Sequence, residues 1–319
     1  YRNGQWVDPE IKPYQPISIS PSARALHYGQ ACFEGMKAFK DESGKTWLFR
    51  PKDNHYRMVK SSERLAMPAF SEELFIEAIK KLIDLDKDWI KTGIGNSLYI
   101  RPFIFADQNS INANEATEYK FMIICAPAKS YYSGDVKVKI EKSFSRASKG
   151  GVGYAKAAGN YAAQFYPTQI AKDEGFQQII WTDSNNHNRV EEAGTMNLFF
   201  KINDTLITSP TSDSILDGVT RKSIIEIAKS INISVEERDI TVDELLTAHK
   251  SGTLKEIFGT GTAVTVLPIS GFGYRGKRFS IISDEERTSD LLKIKLNNIQ
   301  YAKTNDFSHW QYKITWKTC

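Results

Sequence analysis

Residues 150–161 read Gly-Gly-Val-Gly-Tyr-Ala-Lys-Ala-Ala-Gly-Asn-Tyr, a run of small residues around one lysine, Lys156. A helical pattern of apolar residues follows over Asn160–Glu174, so the lysine is expected in a loop that leads into a helix. Most lysines are solvated surface charges, and that interpretation suffices for Lys156 taken alone. The small neighbours would also admit a bulky planar ligand, and a buried lysine loses its proton readily and can attack a carbonyl group to form a Schiff base. The spacing leaves both interpretations open.

The composition excludes several classes of protein. Of 319 residues, 41% are hydrophobic and 25% are charged, which disfavours disorder, collagen-like repeats and a coiled coil. The length favours two domains with a large core. No apolar run approaches the roughly 18 residues of a membrane span. The 42 Lys and Arg residues are interleaved with 38 Asp and Glu residues rather than clustered. We therefore expect neither a membrane nor nucleic acid as a partner.

The cysteines and histidines indicate neither disulfides nor a metal site. Three cysteines, Cys32, Cys125 and Cys319, are too few and too far apart for a disulfide framework, so we expect a reducing compartment, the cytoplasm. The five histidines have no partner at ligand spacing, so no metal is expected. A nucleophile-elbow serine and a Walker-type lysine are also absent, which disfavours serine hydrolases and nucleotide hydrolases.

The periodicity of apolar residues predicts a first α+β unit. Its expected elements are a strand at Thr46–Arg50, helices at Lys52–Met67 and Ser71–Ile90, and strands at Ser97–Ala106 and Tyr119–Cys125. The stretch Ala126–Asp135 has neither periodicity and is the candidate linker.

A second unit is predicted to begin near Val136. The expected strands are Val136–Glu141, Gln177–Thr182, Thr195–Ile202, Thr205–Thr208, Glu256–Phe258 and Val264–Leu267. The expected helices are Asn160–Glu174, Gly218–Ile231, Thr241–Lys250 and Asp284–Tyr301, with Asp217 and Thr241 as caps of the second and third. The glycine-rich segments Phe258–Ala263 and Gly271–Gly276 are predicted to be turns.

Three further motifs could hold a ligand together with Lys156. Glu191 and Glu192 precede a glycine and an apolar strand, where a partly desolvated acid could hold a cationic ring nitrogen. The helix expected at Gly218 has free N–H groups that could bind an anion, and Phe258–Ala263 offers hydroxyls and backbone amides. Each motif is equally typical of an ordinary turn or helix start. Together with Lys156 they describe the three features that hold pyridoxal phosphate: a phosphate cradle, a Schiff-base lysine and a carboxylate for the pyridinium nitrogen.

Longer segments resemble the branched-chain amino acid aminotransferases, which are fold-type IV pyridoxal-phosphate-dependent enzymes. The resemblance spans almost the whole chain and is carried by the ordered motifs His27–Phe39, Leu48–Pro51 with Arg57 following, Leu98–Pro102, Gly159–Tyr161, Glu192–Phe199 and Ile299–Tyr301. It implies an α/β (α+β) fold with a smaller N-terminal domain, a loop and a larger cofactor domain, here residues 1–128, 129–138 and 139–319. It also implies a homodimer.

The resemblance implies which residues hold the cofactor, pyridoxal 5′-phosphate. Lys156 would bind it covalently and would act as the general base that moves a proton between the substrate's α-carbon and the cofactor's C4′. Glu192, rather than Glu191, would keep the pyridine nitrogen protonated, and Tyr161 would hydrogen-bond the 3′-oxygen. The phosphate would be held by Arg57, the backbone of Val219 and Thr220, and Thr262.

The resemblance also implies a substrate pocket. An apolar site for a branched side chain would be lined by Tyr28, Phe33, Tyr99 and Tyr131. Thr195 and Ala263 would offer backbone groups to the α-carboxylate. Arg101 would bind the γ-carboxylate of glutamate, which must enter the same pocket in the second half-reaction.

The expected activity is reversible transfer of the amino group of L-leucine, L-isoleucine or L-valine to 2-oxoglutarate. The products would be branched 2-oxo acids and L-glutamate, formed by a ping-pong cycle through pyridoxamine phosphate. Two alternatives stay open: another fold-type IV enzyme, such as a D-amino acid aminotransferase or aminodeoxychorismate lyase, and a non-catalytic protein that binds pyridoxal phosphate. The segments Phe33–Lys37 and Gly194–Asn197 favour the branched-chain enzyme.

Overall fold

The computed structural model of the protein describes residues 1–129 and 135–315. Within these ranges the chain forms two compact units. Unit 1 contains residues 1–129, Ala155–Gly159 and 298–315, and unit 2 contains residues 135–154 and Asn160–Asn297. The domain boundaries expected from the sequence stay a prediction, since half of the expected loop at 129–138, residues 130–134, lies outside the described residues. The candidate pocket residue Tyr131 belongs to that half.

The described residues contain both strands and helices. The strands are β1 (Ala31–Phe33), β2 (Met36–Lys40), β3 (Thr46–Phe49), β4 (Ser97–Ala106), β5 (Tyr119–Ala128), β6 (Lys137–Ile140), β7 (Gln178–Thr182), β8 (Val190–Ala193), β9 (Asn197–Ile202), β10 (Thr205–Thr208), β11 (Ser234–Glu237), β12 (Leu254–Gly261), β13 (Thr265–Ile269), β14 (Gly271–Tyr274), β15 (Lys277–Ser280) and β16 (Gln311–Lys313). The α-helices are α1 (Arg24–Tyr28), α2 (Pro51–Arg64), α3 (Glu72–Asp86), α4 (Ala158–Asp173), α5 (Val219–Ser230), α6 (Val242–Lys250) and α7 (Thr288–Gln300). In the described part of the chain, none of these helices is both long and apolar enough to span a bilayer.

Unit 1 is built on an antiparallel sheet in the order β1-β4-β2-β3-β16, with β5 on the free edge of β4. Strand β4 pairs with β5 along its whole length and offers its other edge to β1 and β2 in turn. One face of the sheet packs on α2 and α3, and the shared core includes Met58, Phe75 and Ile79 from the helices and Ile100 and Ile104 from β4. Helices α2 and α3 therefore cover one face of the sheet.

The alternation of side chains along β4 decides what the second face of this sheet carries. Successive residues of a strand point to opposite faces. Ile100 and Ile104 lie in the core with α2 and α3, so Tyr99, Arg101 and Phe103 share the opposite face and are half-buried there. This second face carries the candidate substrate residues.

Unit 2 contains two five-stranded sheets. One has the order β11-β10-β9-β12-β13 and is antiparallel except where β10 meets β11. The other has the order β15-β14-β6-β7-β8 and is parallel only at its centre, where β6 pairs with β14 and β7. One hydrophobic cluster contains residues of both sheets, among them Ile180 and Phe200. A continuous core therefore connects the two sheets of unit 2.

The two predicted helix caps have different outcomes. Helix α6 begins as predicted, since the N–H of Glu244 donates to the hydroxyl of Thr241 at 3.0 Å. Asp217 is not the cap of α5, because the residue before the first helical turn is Gly218. The carboxylate of Asp217 instead forms an ion pair with Lys222 at 2.7 Å.

Three other predictions from the sequence are wrong in detail. Strand β5 continues to Ala128, so the first residues of the candidate linker Ala126–Asp135 are paired with β4. The segment Phe258–Ala263 is not wholly a turn, because β12 continues to Gly261 opposite β13. Gly271 and Gly273 lie in β14 and are paired with β6 and β15. In each case pairing with a neighbouring strand of the sheet keeps a segment extended that has little strand propensity of its own.

Candidate active site

Lys156 is fixed to unit 1 through its main chain. Its N–H donates to the hydroxyl of Ser61 on α2 at 2.9 Å, and its carbonyl accepts from the N–H of Phe33 at 3.1 Å. Its neighbours Ala155 and Ala157 are buried. The ammonium nitrogen lies 4.8 Å from the centroid of the Phe33 ring. The lysine is therefore a half-buried, oriented group rather than a freely solvated one.

Phe33, Tyr99 and Arg101 form one cluster on the second face of the sheet in unit 1. The guanidinium of Arg101 lies 4.6 Å from the centroid of Phe33 and donates to the phenol oxygen of Tyr99 at 2.8 Å. A Cβ on Gly35 would collide with that phenol oxygen, so glycine is required for Tyr99 to lie where it does. The Nε of Arg101 is buried and has no hydrogen-bond partner among the described residues. The cluster thus joins two aromatic rings to a cation that is only partly satisfied.

Arg57, the predicted phosphate ligand, has an unexpected partner. Its Nε and Nη2 donate to the two carboxylate oxygens of Glu34 at 2.7 and 2.9 Å. Both residues are buried, and Glu34 is 0% exposed. Glu34 was not among the site residues predicted from the sequence. An acid inside an otherwise apolar and glycine-containing motif was the signal that could have identified it.

Glu192 is held in unit 2 by donors on three sides. Arg146 donates to one carboxylate oxygen at 2.9 Å, while the amide of Asn197 and the N–H of Leu216 reach the other at 3.3 and 3.1 Å. Both charged residues are buried. Arg146 is a further functional candidate that the sequence analysis missed, because it lies 46 residues from Glu192 and no local pattern connects them.

Glu191 has a different environment from Glu192, as expected for neighbours on one strand. Burial raises the pKa of Glu191, and a hydrogen bond from the hydroxyl of Ser214 at 2.5 Å only partly offsets this effect. One of its carboxylate oxygens is buried and has no hydrogen-bond partner within the described ranges. Glu191 lies 3.5 Å from the partly exposed Arg189, whereas Glu192 lies 2.9 Å from the buried Arg146, so Glu192 is the better candidate for an ionised acid.

The start of α5 in unit 2 is shaped to receive an anion. A Cβ on Gly218 would collide with the side-chain oxygen of Asn197, so only glycine fits before the first turn. Gly218 has no side chain to cap α5, so an external anion could accept the N–H groups of the first turn, which begins with Val219 and Thr220. Asn197, which also bonds Glu192, thus connects the helix start to the candidate ring-binding acid.

Two turns that carry candidate residues lie together in unit 2. Thr195 lies in the turn between β8 and β9, and Thr262 and Ala263 lie in the turn between β12 and β13. Strands β9 and β12 are paired at this end, Asn197 opposite Thr260, and a Cβ on Gly261 would lie 3.2 Å from the carbonyl oxygen of Thr195. The pairing therefore brings the predicted α-carboxylate residues together.

Three candidate residues remain. Tyr161 lies on α4 and is half-buried. Tyr28, at the end of α1, is 49% exposed and its hydroxyl donates to the carbonyl of Ile111. Tyr131 lies outside the described residues.

Comparison with known proteins identifies the family. The family model named amino-transferase class IV matches residues 31–272, which include the lysine, both glutamates and the start of α5. This chain belongs to the class IV aminotransferases. The aminotransferase is 44% identical over 315 residues to branched-chain-amino-acid aminotransferase 2 of Bacillus subtilis (strain 168), a match that covers 97% of this chain and 86% of the relative.

Solved structures agree with the family. A branched-chain amino acid aminotransferase from Escherichia coli superposes with a TM-score of 0.77 at 24% identity, covering 94% of each chain. The branched-chain amino acid aminotransferase from Thermobaculum terrenum, solved in its PLP form, gives 0.76 at 19% identity, again over 94% of each chain. The expected resemblance, the fold class and the assignment as a transaminase are confirmed.

Proposed function

We propose that this aminotransferase transfers the amino group of L-leucine, L-isoleucine or L-valine to 2-oxoglutarate, with pyridoxal 5′-phosphate as its cofactor. The relatives named above are branched-chain enzymes, which supports the substrate class. The observation that carries the proposal is the cluster in unit 1, where the amine of Lys156 and the cation of Arg101 lie against the same Phe33 ring. An amine for the cofactor, an apolar wall and a partly satisfied cation are what a pocket for both leucine and glutamate requires.

The chemistry of the donors fits pyridoxal phosphate. Lys156 supplies the amine, Glu192 supplies a buried carboxylate with a cation beside it, and the glycine before α5 opens a helix start to a phosphate. When bound, the cofactor supplies a protonated ring that withdraws electrons from the substrate's α-carbon. Val219, Thr220, Thr262 and Arg57 would hold its phosphate, and Tyr161 its 3′-oxygen.

Lys156 has two roles in this proposal. Its amine would bind the cofactor, and once the substrate amine had displaced it, the neutral amine would take the proton from the substrate's α-carbon and deliver it to C4′ of the cofactor. The hydrogen bonds from its main chain to Phe33 and Ser61 hold the α-carbon of Lys156 still while the side chain swings. Such positioning reduces the entropy lost in each proton transfer.

Glu192 holds the proton on the ring nitrogen. Arg146, Asn197 and the N–H of Leu216 all favour the ionised carboxylate. An ionised carboxylate favours the protonated state of a nitrogen placed against it. The proposed result is a ring that remains protonated while the α-carbon loses its proton.

The substrate side chain is proposed to lie against Phe33 and Tyr99. A branched aliphatic chain gains from contact with aromatic rings, while the γ-carboxylate of 2-oxoglutarate needs a cation. Arg101 is held by the phenol oxygen of Tyr99 and by the ring of Phe33, so it can meet the carboxylate without closing the apolar pocket to leucine. Thr195 and Ala263 would bind the α-carboxylate through their backbone.

We further propose that the enzyme is a homodimer. Tyr28 is tied to Ile111, and the exposed side chains of Leu26 and Ile111 give this corner of unit 1 an apolar surface. In a homodimer, Tyr28 would reach the substrate pocket from this surface. This would explain why Tyr28, a candidate pocket residue, is half exposed in one protomer. Sedimentation at several protein concentrations tests the assembly.

The proposed compartment is the cytoplasm. Cys32 and Cys125 are free thiols, and burial raises the pKa of both to about 12, so neither is a reactive thiolate. Free, protonated thiols and a balanced charge suit a reducing compartment. Cell fractionation tests this.

The decisive experiment follows the visible spectrum of the protein with pyridoxal phosphate. We expect L-leucine to remove the absorption band of the bound cofactor and 2-oxoglutarate to restore it, with one glutamate formed for each branched 2-oxo acid. Lys156→Ala should fail to cycle, whereas Lys172→Ala, which removes an exposed lysine of α4, should cycle normally. A response only to D-amino acids or to aminodeoxychorismate would move the activity to another fold-type IV enzyme, and no response to any amine would favour a non-catalytic binding protein.

A further inference from the structure

Glu34 is a buried carboxylate with a full set of partners. It follows Phe33 in the chain and is 0% exposed. Besides the two bonds from Arg57, its oxygens accept the side-chain amide of Asn54 at 2.8 Å and the N–H of Gly35 at 3.1 Å. Four donors on one carboxylate indicate an ionised acid that is held in a single orientation.

The charged groups near Glu34 favour its ionised form. Burial alone would raise the pKa of Glu34, but the charge and hydrogen bonds of Arg57, followed by the charge of Lys156, hold it below the usual value. Burial raises the pKa of the Cys32 thiol, and the charge of Glu34 raises it further. One acid in unit 1 thus interacts with both cations to which the proposed function gives a role.

A purely structural explanation does not account for this arrangement. Replacing a buried ion pair by apolar residues of similar volume is often neutral or stabilising, so stability alone gives little reason to bury Glu34 and Arg57. The neighbours of Glu34 in the chain both belong to the candidate site. Phe33 contacts Lys156 and Arg101, and Gly35 makes room for Tyr99.

The bond to Glu34 also determines where Arg57 can point. A guanidinium is planar, so two hydrogen bonds along its Nε–Nη2 edge fix the direction of the remaining nitrogen. The main chain of Arg57 is connected to Lys156 as well, because Ser61 donates to the Arg57 carbonyl at 2.9 Å and accepts the N–H of Lys156. Glu34, Arg57, Ser61 and Lys156 therefore form one connected network within unit 1.

We propose that Glu34 is a positioning residue of this aminotransferase: its carboxylate orients Arg57 toward the cofactor phosphate and stabilises the protonated form of the nitrogen on Lys156. This inference rests on the proposed function, in which Arg57 and Lys156 hold the cofactor. Glu34 itself touches neither substrate nor cofactor in this role. It acts through the two cations.

The test compares Glu34→Gln, which keeps the shape and removes the charge, with Asn54→Ala, which removes one hydrogen bond and keeps the charge. For Glu34→Gln we expect the dissociation constant of pyridoxal phosphate from the apoprotein to rise about tenfold, with a smaller change for pyridoxal, which has no phosphate. We also expect the midpoint of the spectral pH titration of the bound cofactor, and the pH profile of kcat, to move down by about one pH unit. Asn54→Ala should lower stability without moving the midpoint.

Glu34→Asp keeps the proposal testable if the glutamine variant does not fold. The shorter acid retains the charge but not the reach, so the midpoint should stay near that of the wild type while the preference for pyridoxal phosphate over pyridoxal weakens. The proposal is overturned if Glu34→Gln and Asn54→Ala lower the free energy of unfolding alike and both leave the midpoint and this preference unchanged. It is also overturned if Glu34→Asp leaves the preference for pyridoxal phosphate over pyridoxal unchanged. Binding and titration need no amino acid, so failure of L-leucine to react would contradict the substrate proposal and not this one.

Discussion

The phenol oxygen of Tyr99 occupies the space that a side chain on residue 35 would need. A Cβ on Gly35 would collide with this oxygen, and Arg101 donates to the same oxygen. The absence of a side chain at residue 35 therefore lets Tyr99 hold the cation of Arg101, two residues after Tyr99 on β4. The phenol oxygen of Tyr99 thus connects the glycine at position 35 with the position of the Arg101 guanidinium.

Gly35→Ala should displace Tyr99 and with it Arg101. Overpacking of this kind costs about 1–3 kcal/mol of stability, and we expect KM for 2-oxoglutarate to rise more than KM for L-leucine. Urea denaturation and steady-state kinetics measure the two effects. In a Tyr99→Phe background the colliding oxygen is gone, so the added effect of Gly35→Ala should be smaller. Strictly additive effects of the two changes would contradict the proposed contact.

Arg101→Met should separate the two halves of the reaction. The change removes a cation but keeps an apolar chain, so a leucine side chain loses little while a γ-carboxylate loses a charged hydrogen bond. Such a bond is worth about 1.5–3 kcal/mol, which corresponds to a rise in KM for 2-oxoglutarate of about tenfold to a hundredfold. The KM for 4-methyl-2-oxopentanoate, measured in the reverse direction, should change far less.

The matched control for this variant is Arg64→Met, which removes an exposed arginine at the end of α2. It should leave both constants at their wild-type values. An equal rise of the two constants in Arg101→Met would show that Arg101 supports the pocket as a whole and does not recognise the γ-carboxylate.

Arg146→Met should destabilise the protein strongly. The change leaves the buried carboxylate of Glu192 without its cation, and breaking a buried pair in this way costs about 3–5 kcal/mol. Arg287→Met, which breaks an exposed pair with Asp290 at 2.8 Å, should cost less than about 1 kcal/mol. Urea denaturation of the apoproteins gives both values. The double variant Arg146→Met/Glu192→Gln should regain part of the loss, and no recovery would mean that packing of the arginine, not charge, is responsible.

Long elements with a clear apolar pattern were predictable from the sequence. The apolar, β-branched and aromatic run over Ser97–Ala106 predicted β4 to the residue, because a strand that is buried or half-buried on both faces is rich in such side chains. Helices α2, α3, α5 and α6 were found with end errors of a few residues, since each has an apolar stripe that faces a core.

Other short strands were missed, although β3, β6, β7 and β10 are equally short and were predicted, because the missed strands depend on partners that their own sequence does not indicate. β1, β2, β8, β11, β14, β15 and β16 have three to five residues each. Residues Gln311–Lys313 are extended because they pair with β3, about 260 residues earlier in the chain. No local pattern carries that information.

The candidate site divides in the same way. Lys156 and Glu192 stand in motifs that a sequence displays directly, whereas their partners come from elsewhere in the chain. Arg146 reaches Glu192 across 46 residues, and the pairing of Arg57 with Glu34 spans 23. Residue types indicated the chemistry, but only the fold reveals which charges compensate one another.

Lys37 gives a prediction about pH. It lies on β2 opposite Tyr99, and burial lowers the pKa of Lys37 from 10.5 to about 8. Below pH 8 the side chain is charged in both the folded and the unfolded chain, and the folded protein bears the full cost of desolvating it. Between pH 8 and 10.5 the unfolded chain binds more protons than the folded one. The free energy of unfolding should therefore rise with pH in this window, and the contribution of Lys37 is at most about 3 kcal/mol.

Lys37→Met removes this contribution, because methionine fills the same apolar space without a charge. Since other groups also titrate in the alkaline range, the informative quantity is the difference in unfolding free energy between the variant and the wild type, in which their effects cancel. At pH 7 the variant should be the more stable protein, and the difference should shrink toward zero as the pH approaches 10.5. Urea denaturation of the two apoproteins at a series of pH values measures it. A difference that does not change with pH would mean that Lys37 keeps its charge in water and is not desolvated by the fold.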